Sequence, residues 1–338
     1  MEILSNYPLQ SLNTFGFKVD AKYFAPVASL AEVGKAIDFA QQKQVPVMVL
    51  GGGSNVMFTK DFEGLILKYD YDSIEVISET EDYIYVKAGA GLNWDQLVAY
   101  CVEKGWGGLE NLSLIPGNVG ASPIQNIGAY GVEMKDHFES LEYLHFETNE
   151  TSISFASDCQ FGYRDSIFKN ALKGKGLILN VTFRLDKKPV FNTSYGTILW
   201  ELETMGITEP NLQTMRQAVI NIRRSKLPDP AEIGNAGSFF KNPEVSASQH
   251  QELKERFPNL VSFALDNGSF KLAAGWLIDQ CGWKGYRDGD AGVHARQALV
   301  LVNYGKANGK QLFELSEKVL QSVKEKFGVE LEREVNVV

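Results

Sequence analysis

Residues 107–131, reading GGLENLSLIPGNVGASPIQNIGAYG, constrain this chain more than any other stretch. Six of them are glycine and two are proline, yet the segment also carries Leu109, Leu112, Leu114, Ile115, Val119, Ile124 and Ile127. A flexible linker would be polar, so this segment is expected to be buried. Glycine serves where the backbone takes positive φ or must come close to another group. Buried loop backbone needs partners for its N–H and C=O groups, and successive N–H groups in such turns form nests for phosphate. Two readings follow: a cradle for a phosphate-bearing ligand, or a tight glycine-rich turn inside a core. Composition does not separate them.

A second glycine run lies upstream. Residues 45–50 are a continuous apolar run, expected as a buried strand, and they feed directly into Gly51, Gly52, Gly53, Ser54 and Asn55. This is neither the dinucleotide fingerprint nor the nucleotide-binding loop with its Gly-Lys-Ser/Thr end. Taken alone, three glycines signal no more than a turn.

The chain has 338 residues, enough for two or three domains, and 44% are hydrophobic, enough for a sizeable core. A net charge of −9 and a pI near 5.1 argue against a general nucleic-acid binder. No apolar run approaches the roughly 20 residues of a membrane span, and the opening MEILSNYPLQ lacks the basic start and apolar core of a signal peptide. Cys101, Cys159 and Cys281 are scattered and odd in number, which fits a reducing compartment and no disulfide framework. The four histidines show no metal-ligand spacing, so no metal is expected. The cytoplasm is the default location.

Periodicity predicts helices over residues 30–43, opened by a Ser29/Glu32 capping box, and over residues 94–102, capped by Asn93 and ended by Gly105. It predicts others over 212–224, 272–281 and 312–323. Strands are expected at 65–68, in a hairpin of 74–77 with 83–88, through much of 138–185, and at 298–303. Residues 329–335 (VELEREV) read as a last strand, with Glu330, Glu332 and Glu334 on one face. Such a row usually faces solvent; one glutamate turned into a cleft is the functional alternative. Phe161 to Phe168 places an arginine among aromatics, which alone reads as a structural Arg–Asp pair. Residues 194–197 read as an exposed loop tip. Residues 234–243 (GNAGSFFKNP) run small and polar, then aromatic, then polar, a make-up common in pockets, although Ser238 is equally a plain turn residue.

Eight stretches, in order over nearly the whole chain, resemble one family: NTFG at Asn13, LGGGSNV at Leu50, IPGNVGASPIQNIGAYGVE at Ile115, FGYRDSIFK at Phe161, KLPDP at Lys226, GNAGSFFKNP at Gly234, LAAGWLIDQ at Leu272 and LEREV at Leu331. The family is the UDP-N-acetylenolpyruvoylglucosamine reductases, flavoenzymes of peptidoglycan precursor synthesis. The SYG around Tyr195 resembles its longer subtype. The resemblance implies an α+β architecture: a vanillyl-alcohol-oxidase (PCMH)-type FAD-binding fold of two subdomains plus a C-terminal α+β substrate-binding domain. The implied boundaries are residues 1–70, 71–225 and 226–338, with the FAD-binding region at about 17–188 and the last strand returning toward the flavin.

The same resemblance implies the ligands and the site. FAD is held without a covalent bond, since His137, His145, Cys101 and Cys159 lie outside the glycine loops, and NADPH is the hydride donor. Cofactor contacts fall to Gly51, Gly52, Gly53, Ser54, Asn55, Pro116, Gly117, Gly120, Ala121, Ser122, Gln125, Asn126, Gly128 and Tyr130. The substrate, UDP-N-acetylglucosamine enolpyruvate, falls to Tyr195, Lys226 and Asn242 at its diphosphate, to Gln297 at its uracil, and to Tyr163 and Lys271. Arg164, Ser238 and Glu334 are the implied catalytic residues. Hydride reaching the terminal enolpyruvyl carbon leaves negative charge that spreads into the carboxylate. A fixed cation there, Arg164, and an acid at the neighbouring carbon, Ser238, answer that need. Glu334 must be protonated, with a raised pKa, or must orient Arg164. No nucleic-acid or membrane partner is implied, and a monomer is expected. Another FAD oxidase of the same fold and a non-catalytic sugar-nucleotide or flavin-binding protein are the competing readings. Residues 234–243 and LEREV weigh against the first, and the intact Arg164, Ser238 and Glu334 against the second.

Overall fold

Local signals set the helices, and apolar stripes bury them. Ser29 caps the helix Leu30–Lys43 by accepting from Glu32 N–H, and Gln44 closes it in the left-handed conformation at φ 54°. Glu32 reaches past the cap to Ala28 N–H at 2.9 Å, so the reciprocal half of the expected capping box is displaced by one residue. Asn93 caps Trp94–Glu103 by accepting from Gln96 N–H. Asn308 and Gln311 form a complete capping box before Gly309–Phe327, which Gly328 ends. Each such cap contributes ~1 kcal/mol. The larger contribution is burial of Leu312, Leu315, Val319, Val323 and Phe327, on the order of 2 kcal/mol for each large side chain.

The computed structural model describes residues 1–338, in two compact units. The first comprises Met1–Tyr7, Ala21–Gly53 and Glu63–Ser225; the second comprises Pro8–Asp20, Ser54–Phe62 and Lys226–Val338.

Two sheets build the first unit. One has the order Leu4–Pro8, Asp20–Val27, Phe62–Tyr69, Val47–Val49, and its last pair is parallel, with Val47 opposite Leu65. The other is antiparallel: Thr151–Phe155, Phe138–His145, Gly176–Asp186, Tyr83–Gly89, Ile74–Glu79. Its middle strand buries every residue from Leu177 to Phe183, as a strand covered on both faces must. Trp94 packs edge-on against Phe183 at 5.7 Å. Residues 156–175 interrupt the strand-rich stretch expected over 138–185: one helical turn, Ala156–Cys159, precedes irregular chain.

The second unit holds an antiparallel sheet in the order Gly234–Asn235, Leu301–Asn303, Ala291–Val293, Arg287–Asp288, and a smaller one of Glu244–Val245, Phe270–Leu272 and Ser262–Ala264. Helix Gly309–Phe327 packs on the strands Ala291–Val293 and Leu301–Asn303 and on helix Ala274–Gln280. That last helix starts two residues later than expected, because Leu272 donates its N–H to Pro243 O and pairs with Ser262. The expected strand over 329–335 is another correction. Only Arg333 forms a bridge, opposite Phe240, and regular pairing begins at Asn336–Val337, parallel to Val56–Met57. Side chains still alternate, with Val329, Leu331 and Val335 buried and Glu330 and Glu332 exposed.

Candidate active site

In the first unit the candidate residues offer mainly main chain. Leu50 N–H ends the parallel pairing by donating to Leu67 O, and the chain then turns through Gly51, Gly52 and Gly53, the last at φ 63°. A methyl group on Gly52 would stand 2.9 Å from Gly117 Cα and 3.0 Å from Asn118 Oδ1. The two glycine runs therefore meet backbone to backbone, and Gly117 adopts φ 120°. Gly51 faces the side chains of Asn118 and Ala121, and Gly120 lies too close to Ala90 for any side chain. The N–H groups of Gly51, Gly52, Ile115, Gly117 and Asn118 find no acceptor in the protein. Their neighbours do: Val119 donates to Leu92 O, Gly120 to Ala90 O and Ser122 to Val119 O. Five unsatisfied donors where two loops touch make a site suited to an anion such as the diphosphate of FAD.

The following turn carries the rest of the predicted cofactor residues of this unit, Gln125, Asn126, Gly128 and Tyr130. The Asn126 side chain is engaged inside the protein, with Glu133, Gly162 O and Lys135 N–H. Ser122 Oγ likewise donates to Val119 O at 2.7 Å. Their main-chain N–H groups are engaged as well, Ser122 with Val119 O and Asn126 with Pro123 O.

Arg164 docks on this turn. Gly162 and Asp165 exchange main-chain hydrogen bonds around it, and Arg164 takes φ 53°. Ser166 Oγ donates to Ile124 O at 2.6 Å. Arg164 Nη2 donates to Gly128 O at 2.5 Å, and its guanidinium lies 5.4 Å from the Tyr163 ring. A methyl on Gly128 would meet Arg164 Nη1 at 3.0 Å, so this glycine makes room for the cation.

Tyr130, at φ 51°, packs edge-on against Tyr195 at 5.5 Å. Burial pushes the Tyr130 hydroxyl pKa up, while the neighbouring Arg223 guanidinium, its hydrogen-bond partner, opposes the shift. Burial also pulls Arg223 down, Tyr130 and Asp95 opposing, and Arg223 Nε is enclosed without an acceptor. Residues 194–197, expected as a loop tip, are a helix start: Tyr195 is the exposed N-cap of Gly196–Thr204, whose Ile198 and Leu202 pack on Met215, Val219 and Ile222.

The second unit, taken by itself, holds a strip of side chains. Asn235 Oδ1 accepts from Gly237 N–H, which lets Gly237 turn at φ 69° just before Ser238. Phe239 then donates to Leu299 O and accepts from Glu334 N–H at 2.9 Å, while Lys241 N–H donates to Glu332 O at 2.9 Å. This short antiparallel contact pairs Phe240 with Arg333 and sets Phe239 opposite Glu334, with the half-buried Ser238 one residue further along the same strip. The row of glutamates is split: Glu332 pairs with Lys241 at 2.6 Å and Glu330 with Lys324 at 2.7 Å. Asn55 Nδ2 donates to Glu334 O at 3.3 Å, and Asn336 N–H donates to Asn55 O. The far end of the first glycine run, Ser54–Asn55, is thus tied to the strip.

Other predicted substrate residues are spread through this unit. Lys226 is exposed at the end of helix Leu212–Lys226. Asn242 Oδ1 accepts from Ala274 N–H at the start of Ala274–Gln280. Lys271 lies in a strand opposite Glu244 and Phe263. Gln297 Oε1 accepts from Leu299 N–H and lies beside Gly275.

Three positioning groups in the first unit escaped the sequence reading. Asp95 takes two hydrogen bonds from Arg216, at 2.7 and 2.9 Å, and one from Leu114 N–H. Burial alone would raise the Asp95 pKa, but Arg216 and Leu114 N–H hold it below the ordinary carboxylate value. Asn111, only 1% exposed, donates to both Tyr130 O and Asn192 O. Their partners are 121 and 81 residues away in sequence, and no local pattern signals such pairs.

The comparisons define a class first: a flavoprotein with an FAD-binding domain. Residues 21–150 match the FAD binding domain family, and p-cresol methylhydroxylase shares the fold, with TM-score 0.51 at 13% identity over 96% of this chain and 83% of that one. Residues 229–338 match the family described as UDP-N-acetylenolpyruvoylglucosamine reductase, C-terminal domain. The reductase so named in Amoebophilus asiaticus is 48% identical, covering 100% of both chains. That of Chromobacterium violaceum is 49% identical over 99% of this chain and 98% of its own length. The crystal structure of the Thermus caldophilus reductase superposes with TM-score 0.69 at 24% identity, covering 99% and 98%. The chain belongs to the UDP-N-acetylenolpyruvoylglucosamine reductase family and is an FAD-dependent oxidoreductase.

Proposed function

We propose that this chain reduces UDP-N-acetylglucosamine enolpyruvate to UDP-N-acetylmuramate, with NADPH as hydride donor, in peptidoglycan precursor synthesis. The observation that carries the reading is the strip in which Glu334 N–H binds Phe239 O, so that Ser238 and Glu334 are carried by one short antiparallel contact. Bound FAD would supply hydride transfer between the nicotinamide and the terminal carbon of the enolpyruvyl group. The unpaired N–H groups of Gly51, Gly52, Ile115, Gly117 and Asn118 would hold its diphosphate. Cys101 and Cys159 support a non-covalent hold: both are fully buried, and burial pushes both thiols up to about 12, so neither forms a thiolate near neutrality.

Arg164 places a planar cation at the substrate carboxylate, where charge accumulates as hydride arrives. Ser238 Oγ–H delivers the proton to the carbon beside that carboxylate, and the resulting anionic centre is basic enough to take a proton from a hydroxyl. Glu334 assists in its protonated form or by orienting Arg164. Tyr195, Lys226 and Asn242 take the substrate diphosphate, Gln297 the uracil, and Tyr163 and Lys271 further contacts. On this reading residues 1–70 and 71–225 are the flavin subdomains and 226–338 the substrate domain. The enzyme works as a cytoplasmic monomer; no helix is long and apolar enough to cross a membrane.

Anaerobic spectroscopy on purified protein tests the proposal. NADPH should bleach the yellow flavin, and UDP-N-acetylglucosamine enolpyruvate should restore the colour. Bleaching by NADPH without restoration by that substrate overturns the substrate assignment; a flavin bleached by an alcohol or hydroxy acid and restored by oxygen points to an oxidase.

A further inference from the structure

Leu114 stands at φ 59° at the head of the Ile115–Asn118 turn. Left-handed backbone is uncommon outside glycine, asparagine and aspartate. For leucine, which has no polar side chain to compensate, it lowers the population roughly tenfold, ~1.4 kcal/mol. Something else must impose it. Leu114 N–H donates to Asp95 Oδ1 at 2.5 Å. Asp95 sits in the first turn of Trp94–Glu103, and Arg216 of helix Leu212–Lys226 grips both of its oxygens at 2.7 and 2.9 Å. A bidentate guanidinium fixes a carboxylate in direction as well as in charge.

The residue before Asp95 fixes the chain on either side. Trp94 Nε1 donates to Leu112 O at 2.9 Å, and Trp94 N–H donates to Gly117 O at 3.0 Å. One helix end therefore holds the loop at Leu112, Leu114 and Gly117. Between the last two lie Ile115 and Pro116, and the donors left without protein acceptors are those of Ile115, Gly117 and Asn118. If Leu114 relaxed to a right-handed or extended conformation, the chain would leave it in another direction and carry the Ile115, Gly117 and Asn118 N–H groups with it.

We infer that Asp95, clamped by Arg216, is a positioning residue for the flavin cradle: it holds Leu114 left-handed and so aims the Ile115, Gly117 and Asn118 N–H groups at the diphosphate. This rests on reading the two glycine loops as that cradle. The burial that would raise Asp95 is outweighed by Arg216 and Leu114 N–H, so the clamp stays ionised through the neutral range.

The test follows release of FAD from purified holoenzyme by the rise in flavin fluorescence on dilution, with circular dichroism confirming the fold. Asp95→Ala should weaken FAD retention about tenfold, the factor set by the left-handed preference it no longer enforces. Leu114→Gly alone should change retention little. The double variant should recover most of the loss, because glycine takes this conformation without the clamp. That recovery separates the inference from mere loss of a salt bridge, since stranding Arg216 would be untouched by Leu114→Gly. Wild-type retention in Asp95→Ala, or a double variant as weak as Asp95→Ala, overturns the inference. Should Asp95→Ala fail to fold, Arg216→Met with the same glycine rescue replaces it and is judged by the same two outcomes. Gly52→Ala tests the underlying reading separately: it should shed FAD, and if it does not, the cradle assignment falls and the inference with it.

Discussion

Two regions of the molecule, one in each unit, solve opposite problems. Around Gly51–Gly53 and Ile115–Asn118 the ligand is to be met by main-chain N–H groups, and side chains matter chiefly by being absent: a methyl at Gly52 would press on Gly117 Cα at 2.9 Å. Around Ser238 and Glu334 the main chain is satisfied by its own ladder, Glu334 N–H to Phe239 O and Lys241 N–H to Glu332 O. Almost any residue could make those bonds, so the chemistry rests on which side chains the ladder carries. A cradle of backbone is vulnerable to added atoms, and a strip of side chains is vulnerable to removed ones. Substitutions should therefore fall into two groups, one affecting cofactor content and one affecting a single half-reaction.

The largest effect is expected at Ser238. Ser238→Ala deletes one oxygen and leaves the Phe239 bonds in place. Reduction of the flavin by NADPH should stay near normal, while reoxidation by the enolpyruvyl substrate should fall on the order of a thousandfold, in the range for loss of a positioned proton donor. Stopped-flow absorbance reads each half-reaction alone. Equal losses in both would mean that Ser238 shapes the flavin site, and the contrast between the two regions would fail there.

Next in size is Gly117→Ala. At φ 120° a side chain is strained, and strain of 1–3 kcal/mol predicts about 30-fold weaker FAD retention. The protein that still holds flavin should turn over normally per bound flavin. A fall in turnover per flavin would show that the cradle also sets the ring's reacting geometry.

The same contrast explains what could be read from the residues alone. Helices Leu30–Lys43, Trp94–Glu103 and Gly309–Phe327 announce themselves by caps and stripes a few residues apart. The glycine runs are legible as places where backbone must be bare, although only the fold shows that they touch. Ser238 and Glu334 carry no such mark: a serine after glycine reads as a turn, and a glutamate in an alternating row reads as solvent-facing. The resemblance to a family singled them out. Helix Ala247–Arg256 escaped notice because it buries only Leu253 and has no stripe to detect. Gly196–Thr204 was hidden by its opening Gly-Thr-Ile, weak helix formers held by packing of Ile198 and Leu202 on the neighbouring helix. The clamp of Asp95 by Arg216 joins positions 121 residues apart, and an aspartate in a helix's first turn already has an ordinary explanation in the helix dipole.

Asn111 falls between the two groups and gives the smallest and sharpest prediction. Its side chain supplies donors of the kind that main chain supplies elsewhere in the cradle. Asn111 Nδ2 donates to Tyr130 O and Asn192 O, both at 3.0 Å, and Asn192 Nδ2 in turn donates to Gly131 O at 3.0 Å. Ser194 Oγ closes on Asn192 Oδ1 at 2.6 Å, one residue before Tyr195. The staple thus holds the segment that carries Tyr195 against the turn that carries Tyr130. Asn111→Ala would leave two carbonyl groups without their donor, at a cost of about 2 kcal/mol, and would loosen residues 190–196 while leaving the glycine runs untouched. The expected result is a lower melting temperature, faster proteolytic cleavage within 190–196, a raised KM for the sugar-nucleotide substrate and an unchanged flavin content. If flavin is lost instead, Asn111 belongs to the cradle, and the line between a region made of backbone and a region made of side chains must be redrawn to include it.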